Sequence, residues 1–496
     1  MGDSAAIPPT GHAAADRAAA NATLRAGAEI VTKLSSLALL FVLARKVGPH
    51  GLGVYVFALA WAGIANLPVD MGFDRYLIRQ VAKDRANVDR LLLNIVATKV
   101  LRSGPVLVIS AVLLVALGYH GGQREAVYVA IIAVLFESLS ASIVAVFTGL
   151  EHGGLAAAVL IWQRLPAAAL GLLALAAGYG VVAVLIAYAI STAVALVVAV
   201  VLMVRRLGRL RLEISRAGRR EVSKRTITLG AQEVFSAGLA KADAVLLSLL
   251  GTTVAVGQYG AAYRLMESTL FVPVALTSAF AAMFTYLGHQ SSPTIQAAYG
   301  YALKAVIGLL VPCAVTLLVL PGPVLRLLYG DGFHAAIAPL RLLAPVVVLL
   351  GVVLISYSLV ISRRDPRVVA WGFAGALAVN LVANLALIPT LGATGAAAAM
   401  LLAEGMFALA MYELAARTVG RPDLTRIFAG PALAGAAMAL GMVLLIHVPV
   451  AAAAVGTVAY AVVLVLVERT IHPEGLRLAQ QVVRRRLPRR MRSADA

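Results

Sequence analysis

The chain has few of the groups on which soluble proteins and most enzymes rely. Only 13% of its 496 residues are charged, 6% are aromatic and one is cysteine. A soluble domain is about 25% charged, so an ordinary water-soluble fold is excluded. The single Cys313 excludes a disulfide framework, and the scattered histidines indicate neither a metal site nor a cofactor. A phosphate-binding loop of the Gly-x-x-x-x-Gly-Lys-Ser/Thr type is also missing, which argues against direct ATP use.

Apolar residues make up 61% of the chain, and the mean hydropathy is +0.91. A helix needs about 20 apolar residues to cross a hydrocarbon layer of about 30 Å. The pattern therefore predicts an all-α, polytopic membrane protein with about 14 transmembrane helices. The predicted spans are 24–44, 52–72, 98–118, 127–149, 154–177, 181–203, 228–250, 258–284, 300–320, 338–361, 368–388, 394–415, 428–446 and 449–467.

Lysine and arginine are concentrated in every second connection between these spans. Cytoplasmic loops retain positive charge, so this bias predicts a multi-pass protein of the inner (plasma) membrane with both termini in the cytoplasm. We therefore expect the net charge of +19 to attract anionic lipid headgroups rather than nucleic acid. The basic connections are 75–92, 205–225, 363–367, 417–426 and the tail from residue 469.

Two parts of the sequence repeat the same turn. Gly48 precedes Gly53-x-Tyr55, and Gly251 precedes Gly257-x-Tyr259, each after an apolar span. Such a repeat is typical of duplicated transporter halves. The predicted organisation is a disordered cytoplasmic N-terminus (1–21), a six-helix bundle (22–204), a basic cytoplasmic linker (205–225), a second six-helix bundle (226–417), two additional helices (418–468) and a basic cytoplasmic tail (469–496).

Charged residues inside the spans require an explanation, because each costs at least about 2.5–3.5 kcal/mol at the bilayer centre. Counting from the turn near His152 puts Glu137 and Arg164 at nearly one depth. Each charge could line a hydrated cavity or satisfy a neighbour by structural pairing. The candidate cavity cations are Lys33, Arg164, Lys241 and Arg264. The candidate ion-coupling or charge-pairing carboxylates are Glu137, Asp243, Glu267 and Glu404.

Several segments together resemble the polysaccharide (O-antigen type) flippases of the multidrug/oligosaccharidyl-lipid/polysaccharide exporter superfamily. The resemblance implies two six-helix bundles around a central cavity, followed by two extra helices. It also implies a cytoplasmic gate region near Asp70 and Arg79, at the exit from the second span. The segments are 43–55, 70–73 with 78–79, 147–151, 242–243 with 257–264, and 380–397.

The resemblance implies that the protein moves polyprenyl-pyrophosphate-linked oligosaccharide from the inner to the outer leaflet and is not an enzyme. A pyrophosphate would favour the cationic lining predicted above. Other membrane proteins of polysaccharide assembly are further expected partners. One alternative is a cation-coupled multidrug exporter of the same superfamily, which would need an aromatic, acidic cavity. A membrane polysaccharide polymerase or ligase is disfavoured, since the longest outer connection, 321–339, is short.

Overall fold

The computed structural model describes residues 11–85, 87–208, 213–286, 292–363 and 366–471. Within these ranges the secondary structure is helical and contains no strand, which confirms the all-α prediction. A single 3-10 helix covers Asp331–Ala336. The α-helices are α1 (Gly11–Asp70), α2 (Phe73–Lys83), α3 (Val88–Ala116), α4 (Gly121–Gly149), α5 (Gly153–Ala176), α6 (Val181–Leu207), α7 (Arg216–Leu250), α8 (Thr253–Ser268), α9 (Phe271–Tyr286), α10 (Ser292–Val319), α11 (Pro321–Tyr329), α12 (Ile337–Arg363), α13 (Pro366–Val419), α14 (Leu424–Leu444) and α15 (Pro449–Ile471).

Ten of the described helices are long and apolar enough to cross a membrane, so the chain is a multi-pass membrane protein. Two of them, α1 and α13, each contain two predicted spans. The chain leaves helical geometry at Gly48 (φ 67°, ψ −173°) in α1 and at Gly392 (φ 54°, ψ −128°) in α13. A positive φ is accessible to glycine at little cost, so these two glycines separate the paired spans.

The eighth predicted span, 258–284, is not one continuous helix. Helix α8 ends at Ser268 and α9 begins at Phe271. Between them, the amides of Thr269 and Leu270 donate to carbonyl groups only three residues earlier. Pro273 has no N–H to donate back to Thr269, so a new helix starts readily here. The predicted eighth span therefore corresponds to two successive helices, α8 and α9.

Chain contacts divide the protein into two compact units, Met1–Gly257 and Gln258–Ala496. In the first unit, the short helix α2 anchors the end of α1. Its apolar residues Phe73, Leu77 and Val81 are fully buried and pack in one core with Phe147 of α4. The opposite face of α2 is polar, so this helix is amphipathic rather than spanning.

The two repeated glycine turns approach each other inside the first unit. A side chain at Gly53 would collide with the carbonyl oxygen of Thr253, and one at Gly257 would collide with that of Pro49. The backbones are thus close enough that neither position has room for a Cβ atom. Small residues at helix contacts permit such close approach in membrane proteins.

In the second unit, helices α14 and α15 pack on α10 through an apolar core and two polar contacts. Both carboxylate oxygens of Glu468 in α15 lie 2.7 Å from the ammonium group of Lys304 in α10. The Tyr460 hydroxyl, also in α15, donates to the carbonyl of Gly308 at 2.6 Å. Methionine side chains of α14 fill the core between these helices. The last two spans are thereby fixed to their own unit.

The predicted domain boundaries remain predictions, but two of the predicted segments can be placed in part. Helix α1 begins at Gly11, so residues 11–21 are helical where the sequence predicted disorder; this stretch is rich in alanine, the best helix former. The basic linker is partly helical, because α6 reaches Leu207 and α7 begins at Arg216. Residues 1–10, 209–212 and the tail beyond Ile471 lie outside the described residues.

Candidate functional site

Three helices of the first unit place polar groups together inside the membrane-spanning region. An Nη2 atom of Arg164 in α5 lies 2.6 Å from Oε1 of Glu137 in α4. The Nη1 atom of Arg164 donates to the hydroxyl of Tyr188 in α6 at 3.2 Å. That hydroxyl in turn donates to Oε2 of Glu137. The carboxylate, guanidinium and phenol therefore form a closed triangle of hydrogen bonds, which we name the α4–α6 triad.

The triad is partly accessible to solvent. The side chain of Arg164 is 35% exposed and that of Glu137 is 28% exposed. Both residues lie within helices long and apolar enough to span the bilayer. A charged group that faces lipid tails is costly. The exposed parts of Arg164 and Glu137 are therefore more stable if they face a hydrated space. The geometry is suited to an anion that approaches the open side of the guanidinium.

Helices α5 and α6 are joined by a hydrogen-bonded contact near Pro166, which lies two residues after Arg164. Proline has no N–H, so the carbonyl of Trp162 loses its helical hydrogen bond. The buried hydroxyl of Ser191 in α6 contacts this carbonyl at 3.1 Å and that of Gln163 at 2.9 Å. Ser191 lies one turn after Tyr188, so this contact holds the phenol beside the guanidinium. The aromatic ring of Tyr188 also lies 5.5 Å from the guanidinium carbon.

The fully buried Lys99 in α3 forms a second charged cluster, which the sequence did not predict. Its ammonium group lies 2.6 Å from Asp70, 2.9 Å from Asp74 and 2.9 Å from the carbonyl of Ser138. The hydroxyl of Ser142 donates to the same Asp74 oxygen at 2.7 Å. Asp70 lies in the predicted gate region, but the sequence does not indicate its partner, because Lys99 lies at the start of the predicted third span. The signal in the sequence is two aspartates, Asp70 and Asp74, at the end of a predicted apolar span, where a cationic partner is needed.

Helix α7 is connected to this cluster by polar contacts on its N-terminal half. Arg75 in α2 lies 2.8 Å from Glu233 in α7. Arg102 in α3 donates to the hydroxyl of Ser223 at 3.1 Å and to the carbonyl of Pro68 at 3.0 Å. The first unit thus ties the end of α1, the amphipathic α2 and helix α7 into one polar network.

The other predicted residues of the first unit lie on α1, α2 and α7. Lys33 is exposed on α1, and Arg79 is exposed on the polar face of α2. Lys241 is half-buried in α7, where its side chain packs against Gly63 of α1. Asp243 is almost completely buried, two residues further along α7.

In the second unit, two predicted residues form a pair within α8. An Nη1 atom of Arg264 lies 2.6 Å from Oε2 of Glu267, and both side chains are more than 40% exposed. Glu404 is buried in the second half of α13. Asn380 and Asn384, in the first half of α13, are fully buried, and the amide of Asn384 donates to Asn380. This unit therefore also carries polar groups inside its spanning helices.

A family model described as "Polysaccharide biosynthesis protein" matches residues 18–289, which is more than half of the chain. The chain belongs to this family. The match confirms the resemblance seen in the sequence and covers the first unit from residue 18 onward. No curated protein matches the chain by sequence.

Solved structures of transporters share the fold of this family member at low sequence identity. One is a lipid II flippase, MurJ, in an inward closed conformation, with a TM-score of 0.71 and 13% identity over 90% of this chain and 99% of the other. Another is an inward-facing multidrug resistance transporter of the MATE family and MOP superfamily, with a TM-score of 0.62 and 16% identity over 78% of this chain and 94% of the other. A third is a MOP superfamily transporter from Pyrococcus furiosus, with a TM-score of 0.59 and 15% identity over 81% of this chain and 95% of the other. At these identities the likeness establishes the fold alone.

Proposed function

We propose that the protein is a flippase that moves polyprenyl-pyrophosphate-linked oligosaccharide from the cytoplasmic to the outer leaflet by alternating access, for cell-surface polysaccharide synthesis. The observation that carries this proposal is Arg164, a partly exposed cation inside the membrane-spanning helices. A guanidinium presents a planar set of donors that matches phosphate oxygens. The diphosphate is the charged part of the cargo and the part that most needs a partner inside the bilayer.

The remaining predicted residues receive roles in the same proposal. Lys33, Lys241 and Arg264 are assigned to cationic lining, and Asp70 and Arg79 to the cytoplasmic gate region. The carboxylates Glu137, Asp243, Glu267 and Glu404 are candidates for ion coupling or charge pairing. Transport in vesicles with the proton and sodium gradients collapsed separately tests the coupling role. Equal rates in all conditions would remove it.

The location and orientation belong to the proposal as well: the protein lies in the inner (plasma) membrane, and both termini face the cytoplasm. After Cys313→Ser removes the only native cysteine, single cysteines can be introduced at exposed Arg79 and at Tyr179, between α5 and α6. We expect a membrane-impermeant thiol reagent to label Tyr179→Cys, but not Arg79→Cys, in intact cells. The opposite labelling pattern would reverse the assignment.

A cation-coupled multidrug exporter is the second candidate, because transporters of the MATE family share the fold. A cationic drug prefers aromatic and acidic surroundings, whereas the α4–α6 triad already pairs its carboxylate with an arginine. A positive ligand would have to displace Arg164 from Glu137 and then tolerate it as a neighbour. An anionic ligand would have to displace Glu137 instead, but it would also gain from the cationic lining assigned to Lys33, Lys241 and Arg264, which favours the flippase.

The deciding experiment is glycan export in a strain that lacks its own flippase and expresses this protein with its glycan pathway. We expect Arg164→Ala and Arg264→Ala to abolish export, while protein amount in the membrane stays unchanged. A charge-assisted hydrogen bond contributes about 1.5–3 kcal/mol, which corresponds to a loss of roughly ten- to one-hundred-fold in binding. Arg326→Ala is the matched control, because Arg326 is highly exposed and pairs with Asp331. Wild-type export in both test variants would refute the proposal, and drug efflux without glycan export would favour the exporter.

A further inference from the structure

The hydrogen bonds of the α4–α6 triad use only some of the N–H groups of Arg164. A guanidinium carries five N–H groups, and Arg164 uses one toward Glu137 and one toward the Tyr188 hydroxyl. Its partners differ in charge: Glu137 is an anion, whereas Tyr188 is a neutral phenol at ordinary pH. The two contacts should therefore respond differently when a second anion arrives.

We infer that Glu137 occupies the place of the cargo's diphosphate on Arg164, and that Tyr188 is a positioning residue that keeps the guanidinium aimed when Glu137 is displaced. This inference rests on the proposed function and adds how the site takes up and releases its anion. The carboxylate would act as an internal competitor that returns to Arg164 when the diphosphate leaves. Arginine would then never be left as a lone charge in the membrane.

The competition follows from the distances. Glu137 Oε1 lies 2.6 Å from Arg164 Nη2, so a phosphate oxygen that accepts the same N–H must take the place of this carboxylate oxygen. A diphosphate that bonded only the remaining N–H groups would stay within a few ångström of the carboxylate and be repelled. Displacement of Glu137 avoids this repulsion. Tyr188 donates to Glu137 in the closed triangle and can rotate its O–H toward the incoming anion.

The positioning role of Tyr188 follows from how the residue is held. Arg164 lies over its ring, and Tyr188 is one turn from Ser191, whose hydroxyl contacts two carbonyl groups of α5. The phenol is thus fixed to the same helix that carries Arg164. Loss of its hydroxyl removes one acceptor for the guanidinium but leaves the ring and the helix contact in place.

The test is binding of farnesyl diphosphate to the full-length protein in lipid nanodiscs, with uncharged farnesol as the control ligand. Glu137→Gln keeps the side-chain shape and removes the competing charge, so we expect roughly two- to fivefold tighter binding of the diphosphate. Tyr188→Phe should weaken diphosphate binding by a similar factor in both the wild-type and Glu137→Gln backgrounds. Neither variant should change farnesol binding. Tyr179→Phe, at an exposed tyrosine between α5 and α6, is the matched control and should behave as wild type.

The sign of the Glu137→Gln effect separates the inference from a purely structural role. A residue that only stabilises the fold would give weaker binding of both ligands, and equal or weaker diphosphate binding by Glu137→Gln overturns the inference. Tighter binding with slower glycan export supports it, because the anion would then lack its competitor at release. If Glu137→Gln does not bind the diphosphate more tightly while Arg164→Ala still abolishes export, the proposed function stands without this inference. If the wild type neither binds the diphosphate nor exports glycan, both fall.

Discussion

Replacement of Lys99 by methionine tests the buried charge cluster of the first unit most directly. The substitution keeps a long apolar stem but removes an ammonium group that contacts Asp70, Asp74 and the Ser138 carbonyl. Two carboxylates and a carbonyl then lose a shared partner. Removal of one member of a buried ion pair costs about 3–5 kcal/mol. Because the Asp70 and Asp74 side chains are 27% and 21% exposed, water compensates in part, and we expect about 3 kcal/mol, the lower end.

The assay is thermal unfolding of purified variants in the same nanodiscs, with the midpoint as the measured quantity. Lys99→Met should lower the midpoint clearly, whereas the control Arg326→Gln should not, since that ion pair lies at the surface. Adding Asp70→Asn and Asp74→Asn to Lys99→Met should recover much of the loss, because the unbalanced charges are removed. A Lys99→Met midpoint equal to that of Arg326→Gln would show that the cluster does not stabilise the unit.

Two further predictions concern helix packing. Lys304→Glu and Glu468→Lys should each reduce the amount of folded protein, and the double exchange should restore it, because it regenerates the ion pair between α10 and α15. Fluorescence-detected size exclusion measures the amount of folded protein. A double variant that does not recover would contradict this prediction. Gly53→Ala and Gly257→Ala should each abolish export or folding, because a Cβ atom would strike a backbone carbonyl; Gly104→Ala, which meets open space, is the control. Equal export by all three glycine variants would refute the close backbone approach.

The fold was accessible from the sequence because lipid imposes simple rules. Length and hydropathy alone predict spans that correspond to helices. Gly48 and Gly392 lie in the short gaps between predicted spans, 45–51 and 389–393, and they separate these spans in the structure. Depth counted from the turn near His152 put Glu137 and Arg164 near one level, and their charged atoms lie 2.6 Å apart. Counting along a helix works when both residues are referred to the same tight turn.

Contacts between distant segments were beyond such counting. The partner of Asp70 is 29 positions away on another helix, and a lysine at the edge of a predicted span is usually at headgroup level. Tyr188 was not predicted because a tyrosine in an apolar helix carries no charge signal. The break between α8 and α9 lies just before Pro273, whose missing N–H hydropathy averaging ignores. These features depend on packing and on single backbone hydrogen bonds, which composition does not record.

The pair between Lys304 and Glu468 also has a consequence for biosynthesis. The two residues are separated by 164 positions, so at roughly 5–20 residues per second the ribosome adds the glutamate roughly 10–30 seconds after the lysine. Until then the lysine stem has to extend toward the headgroups, where its ammonium stays hydrated. A nascent chain that is stalled or truncated before α15 would keep that exposed cation in an unfinished bundle, a feature by which membrane proteases could distinguish it from the completed protein.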